Sequence, residues 1–194
     1  ISLKNTPAAI DAPYLFEDSG INKFGSTYYY NYCTNFSTGG NNLGLNAGEI
    51  AYMTSNNPMG PYTYQGVIFK NPSSFGADFG GGGNNHHTIV TFNNKNYLFY
   101  HARSVEKAMG IALNYRSTHV NELTLTNGKI NSVIGTMKGV AQLKKLNPYE
   151  KIPAETIYRQ AGTGVRNLGD TIVTNIGKGD WVSIAGADFY DGAK

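Results

Sequence analysis

A single cysteine, Cys33, among 194 residues excludes an intrachain disulfide. Its place in an apolar, strand-like run marks it as a small core residue rather than a nucleophile. No apolar run approaches the ~20 residues that a membrane-spanning helix needs, so no membrane partner is expected. Charge is sparse, with 16 Lys and Arg against 13 Asp and Glu, a net +3. There is no basic run, and the tightest cluster, Lys144-Lys145 near Lys138 and Lys151, reads as a solvated loop. Nucleic acid is therefore not an expected partner. The four-glycine run from Gly80 lacks the Lys-Ser/Thr pair and following helix of a phosphate loop, and reads as a flexible loop at a pocket rim. No zinc ligand set is spaced along the chain. Ile1-Ser-Leu-Lys-Asn5 does not have the pattern of a signal peptide.

What is plentiful is aromatic residues and turn formers: 14 Tyr, 9 Phe and 24 Gly, with Asn abundant. Tyr and Phe favour strands, while Gly and Asn supply the positive-φ turns between them. This is the balance of a secreted β protein. Short strand-like runs are expected at 27–33, 49–54, 64–69, 88–92, 96–101, 110–115, 120–126, 129–133 and 140–143. Asn93-Asn94 and Asn127-Gly128 read as hairpin turns, the second of type I′. The one helical candidate is 104–109. The expectation is all-β, and evenly spaced short antiparallel strands fit a sandwich, a barrel or a propeller.

With few carboxylates available, the segment from Asp11 to Tyr32 stands out. It places Glu17 and Asp18 shortly before a strand rich in tyrosine. Aromatic rings stack on the apolar faces of sugars, and a carboxyl group can protonate a glycosidic oxygen. The segment resembles the general-acid strand of glycoside hydrolase family 43, in which a Glu is followed six residues later by a Lys, then a turn and a Tyr-Tyr strand. Here those positions are Glu17, Lys23, a turn at 22–26 and the tyrosines at 28–32. The departure is Asp18-Ser19, where the family usually has Ala-Pro or Gly-Pro. The resemblance implies that Glu17 is the general acid, with Asp18 capping the turn or supporting Glu17, and Asp11 as the runner-up.

Further segments carry the same resemblance. Ser55-Asn-Asn-Pro58-Met-Gly60-Pro61, followed by Tyr62-Thr-Tyr64-Gln-Gly66, looks like the family's next blade, with Gly60 and Gly66 allowing the reversal. His86-His87-Thr88 resembles a blade whose His faces the central channel, often onto calcium or its water. His86 matches the spacing and His87 is the alternative, since strand neighbours point to opposite faces. Tyr115-Arg116-Ser-Thr118 is similar to the strand whose Arg reaches the sugar; a surface arginine is the competing reading, and Arg103 is a weaker candidate. Tyr32, Phe36, Tyr62 and Phe79 form either an aromatic wall for substrate or part of the core. His101 reads as the end of a buried strand.

Beyond residue 147 the composition shifts. Ala154-Glu155 and Gly179-Asp180-Trp181-Val182 resemble the opening of a family 6 carbohydrate-binding module, a β-sandwich. The resemblance implies calcium at Glu155. Trp181 is either a sugar platform or a core residue, and its apolar neighbours favour the core. The expected organisation is 1–147 as the C-terminal blades of a five-bladed β-propeller, 148–151 as a linker, and 152–194 as part of the sandwich. A blade takes roughly 40–50 residues, so a second polypeptide is expected to complete both parts and to supply the general base.

The activity this implies is inverting removal of terminal arabinofuranosyl or xylosyl residues from plant cell-wall arabinoxylan or xylan. The competing class is a non-catalytic carbohydrate-binding or lectin-like protein.

Overall fold

The computed structural model describes residues 10–141, 144–154, 156–167, 169 and 171–192. The chain divides into two compact units, Ile1–Val140 and Ala141–Lys194. In the first, β1 (Leu15–Phe24), β2 (Thr27–Thr34), β3 (Ile50–Ser55) and β4 (Thr63–Phe69) form a four-stranded antiparallel meander. A second antiparallel sheet holds β5 (His87–Phe92), β6 (Lys95–Ala102) and β7 (Ser117–Leu123), and a small hairpin follows from β8 (Leu125–Thr126) and β9 (Lys129–Ile130). Helix is confined to α1 (Ser104–Met109) and two 3₁₀ turns, Pro72–Phe75 and Ala77–Phe79, among the described residues. The chain is all-β, as its composition requires.

Strand β2 shows why so many tyrosines serve one element. Side chains alternate across a sheet, so Tyr29 and Cys33 pack into the larger core while Tyr30 and Tyr32 enter the smaller one. The larger core lies between the two sheets and takes Ile50, Tyr52, Ile68 and Phe69 from the first, Ile89, Leu98, Tyr100 and Leu123 from the second. Tyr29 and Tyr52 also use their hydroxyls there. Tyr29 donates to Gly128 O (2.6 Å) and Tyr52 accepts from Ile130 N (3.1 Å), which ties the β8–β9 hairpin to the first sheet. Both hairpin turns are as expected. Asn93, Asn94, Asn127 and Gly128 all have positive φ, the type I′ requirement.

Four expectations are corrected. The runs read from residue pattern omit β1, which only the family resemblance marked as a strand, because its bulged sequence breaks the alternation by which strands are recognised. It runs through residues 22–24, and the turn is only Gly25-Ser26. Residues 110–115 form no strand: Gly110 caps α1 in the left-handed region, and the N–H groups of Leu113 and Tyr115 donate to the buried Glu106 carboxylate instead of a ladder. Gly66 lies inside β4 at a register shift, while the reversal is closed by Gly60 N–H donating to Asn57 O (2.9 Å). Val140 and Ala141 are not in a strand, and residues 142–143 lie outside the described ones.

The second unit carries two small antiparallel pairs. They are β10 (Arg159–Ala161) with β13 (Trp181–Ser183), and β11 (Gly164–Asn167) with β12 (Thr171–Thr174).

Candidate functional site

Two consecutive carboxylates on β1 meet two consecutive histidines at the start of β5. Glu17 Oε1 lies 2.8 Å from His86 Nε2, and Asp18 Oδ2 lies 2.5 Å from His87 Nδ1. A regular strand could not do this, since its neighbours face opposite sides. The break is a β-bulge. Glu17 pairs with Cys33 and Gly20 with Asn31, so one extra residue of β1 is accommodated, and Asp18 takes a left-handed φ of 59°. The bulge lets both acids reach the second sheet.

The histidines are held from their own side. Asn85, fully buried, donates through Nδ2 to Gly48 O (2.9 Å) and Lys70 O (3.3 Å). Asn71 donates to Gly83 O (2.8 Å) and accepts from Ser73 Oγ (2.9 Å). The glycine run is folded onto Arg103, where a Cβ on Gly80 would stand 2.7 Å from the arginine's own Cβ. Gly81, Gly82 and Gly83 line a small cavity with Asn71, His101 and Arg103.

Exposure separates the two acid–histidine pairs. The Glu17 and His86 side chains are 30% and 41% exposed, against 18% for Asp18 and 1% for His87. Glu17 is thus open to a ligand while Asp18 is committed to His87. The His101 ring meets His86 edge-on, centroids 5.7 Å apart, and neither of its nitrogens has a partner. Burial, reinforced by the positive charges of Arg116, His86 and Arg103, pushes the His101 pKa down to about 4. Arg116 is exposed immediately before β7, and its charge is felt at His101. Lys23 lies 5.1 Å from the ring centre of Tyr28, its cross-strand partner.

The aromatic candidates separate by burial. Tyr32 has no exposed surface, and its hydroxyl donates to Pro13 O (2.9 Å), so it is a core residue and cannot stack on a sugar. Phe79 is likewise buried. Tyr62 is partly buried against the smaller core, its hydroxyl donating to Pro58 O. Phe36 is half exposed and meets the equally exposed Phe16 edge-on at 5.7 Å, one residue from Glu17 in sequence. Trp181, favoured for the core, is 49% exposed in β13. Asp11 is exposed and bonds neither histidine.

Asn31 and Asn22 were not anticipated. The available signal was Asn31 itself, since asparagine is disfavoured in strand centres and here sits between tyrosines.

The resemblance implied calcium at His86 and at Glu155. Calcium takes six to eight oxygen ligands, and no three His, Cys, Asp or Glu converge among the described residues. His86 Nε2 faces Glu17, and Glu155 lies outside the described residues.

No family model matches the chain. It is 48% identical over 197 aligned positions to an arabinoxylan arabinofuranohydrolase of Paenibacillus polymyxa, covering 97% of this chain and 30% of that protein. It is 44% identical over 200 positions to an arabinoxylan arabinofuranohydrolase of Bacillus subtilis (strain 168), covering 98% and 38%. Among solved structures, a glycoside hydrolase family 43 arabinoxylan arabinofuranohydrolase from Bacillus subtilis, in complex with cellotetraose, matches at a TM-score of 0.81 and 43% identity. That match covers 93% of this chain and 38% of the other. The chain therefore spans about a third of the length of these relatives.

Proposed function

The chain is homologous along nearly its whole length to arabinoxylan arabinofuranohydrolases of glycoside hydrolase family 43, and on that premise we propose that it carries the general acid of such an enzyme. The substrate is arabinoxylan, and the product is arabinose released from a terminal arabinofuranosyl branch. Glu17 protonates the oxygen of the leaving xylan chain. An aspartate outside this chain activates water on the opposite face of the sugar, as inversion requires of a second carboxyl group roughly 6.5–9.5 Å away. Asp18 is unsuited to that second role, because His87 holds its carboxylate through both backbone and ring.

The observation that carries the reading is the presentation of Glu17. It pairs with Cys33 at the edge of the bulge, His86 orients it at 2.8 Å, and its side chain remains 30% exposed. A general acid needs to be both held and reachable. Arg116 suits sugar hydroxyls through its planar set of donors, and Phe36 with Phe16 offers the exposed aromatic surface next to the acid in sequence.

The same reading places the two sheets of the first unit among the blades of a five-bladed propeller, with 148–151 as a linker and 152–194 as part of a family 6-type sandwich. In that sandwich the exposed Trp181 serves as a sugar platform. Secretion, and a further polypeptide segment completing both parts, belong to this proposal. Calcium in the propeller channel, near His86, belongs to it as well.

The test is Glu17→Gln in the complete polypeptide that contains these residues. Arabinose release from arabinoxylan is expected to fall by about 10²–10⁴-fold, the usual contribution of a general acid, with oligosaccharide binding retained. Unchanged release would remove Glu17 from the reaction and put the general acid elsewhere in the polypeptide, whereas glycan binding with no release even before substitution would favour a non-catalytic reading.

A further inference from the structure

The proposed function gives Glu17 a role, but none to the buried polar chain directly behind it. Asp18 Oδ2 accepts from the backbone N–H of His87 (2.6 Å) as well as lying 2.5 Å from its Nδ1. His87 Nε2 lies 2.7 Å from Asn31 Oδ1. Asn31 Nδ2 donates to Asn22 Oδ1 (3.0 Å), and Asn22 Nδ2 donates to the backbone carbonyl of Ile89 (3.0 Å).

The orientation of every group in this chain follows from its last member. A carbonyl oxygen can only accept, so Ile89 O fixes which end of the Asn22 amide faces it. That leaves Asn22 Oδ1 toward Asn31, which turns Asn31 Oδ1 toward His87. Both ring nitrogens of His87 consequently face oxygens.

The chain starts on β1, passes to β5, returns to β2 and β1, and ends on β5. Strands β1 and β5 belong to different sheets and share no ladder. The polar chain is therefore a clamp across the gap between the sheets, at the point where Glu17 meets His86. It also holds the bulge. A left-handed non-glycine residue such as Asp18 is disfavoured and persists where its surroundings over-determine it. The two bonds from His87 do so here. Gly20 leaves room for the clamp, since a Cβ there would stand 2.9 Å from Asn31 Oδ1.

We propose that Asp18, His87 and Asn31 are positioning residues for Glu17, locking the bulge so that the acid's carboxyl is aimed at the leaving oxygen. This rests on the reading of Glu17 as the general acid. The clamp touches no substrate; it acts through the strand that carries Glu17.

A misaimed acid has a signature that general damage lacks. A dinitrophenol departs without protonation, whereas a xylan hydroxyl does not. The experiment compares turnover of an arabinoxylo-oligosaccharide with that of a dinitrophenyl α-L-arabinofuranoside, in the complete polypeptide. The variants are Asp18→Asn, His87→Gln and Glu17→Gln. The ratio of the two turnovers is independent of how much of a sample is folded, and Asn31→Ala supplies it if either of the first two variants gives no folded protein.

For Asp18→Asn and His87→Gln, the oligosaccharide rate is expected to fall about 10²-fold relative to the activated substrate, the cost of a misplacement near 1 Å. The KM for the oligosaccharide stays unchanged. Glu17→Gln should shift the ratio in the same direction and further. Equal losses on both substrates in the clamp variants, with the ratio shifted in Glu17→Gln, would overturn the clamp alone. No shift in Glu17→Gln would overturn the assignment of the acid itself.

Discussion

Residues that look alike in the sequence acquire different chemistry from their surroundings. His86 is half open and faces a carboxylate, His87 is sealed between two oxygens, and His101 is set behind His86 with both nitrogens unpartnered. His101 gives a stability prediction. Its pKa is about 4 in the folded chain against an ordinary 6.5, so the unfolded chain binds more protons between those values. Its contribution to stability is therefore complete above about pH 6.5, declines as pH falls toward 4, and is constant below that. Over that window it amounts to roughly 2 kcal/mol once partial exposure is allowed for. Urea midpoints measured across pH 4–7 should show that slope, and His101→Gln should flatten it. Cys33 is a second case: burial first, then the negative charges of Glu17 and Asp18, push its thiol up to about 11. A thiol held that high is the inert core residue the sequence led us to expect.

At the level of elements, the decisive feature is an irregularity. A continuous ladder from β1 to β2 would have sent Glu17 and Asp18 to opposite faces, and only one would have reached β5. The bulge is maintained by a close approach at Gly20, where the Asn31 oxygen is itself held 2.7 Å from His87. Gly20→Ala should displace that oxygen and lower stability by about 1–3 kcal/mol, the range for overpacking a filled site. Comparing its urea midpoint with that of Ser26→Ala, in the exposed turn that follows β1, would check this. The regular elements were easier to anticipate. Strands β2 to β6 follow their aromatic and β-branched runs closely, and both asparagine turns fall where the chain has the residues for positive φ. Residues 110–115 misled because an apolar run flanked by turn formers says nothing about Glu106, whose buried carboxylate takes the amides a ladder would have used.

At the scale of the whole molecule, the first unit brings one exposed carboxylate to the site and ties its neighbour away from it. Inversion needs two. The 194-residue chain alone is therefore expected to release no arabinose from arabinoxylan, while the complete polypeptide does so. Chromatography of the sugars released by each would decide, and hydrolysis by the chain alone would mean that its own carboxylates suffice.

Much of this protein was settled by its amino-acid order. Tyrosine and phenylalanine in short runs, set between asparagine and glycine, dictate antiparallel strands and tight turns, because those preferences act within a few residues. Glu17 was singled out differently, through the resemblance of its segment, with Lys23 and the tyrosine strand, to the acid strand of family 43. The contacts that give the site its form lie 56–69 residues apart in the chain, between Asp18, His87, Glu17, His86 and Asn31. They exist only once two sheets have packed. That Tyr32 is sealed in the core while Phe36 is exposed was also beyond local pattern, since an aromatic ring suits either place. Burial and hydrogen-bond partners belong to the packed structure, and they separate the more exposed carboxylate of Glu17 from that of Asp18, which His87 holds.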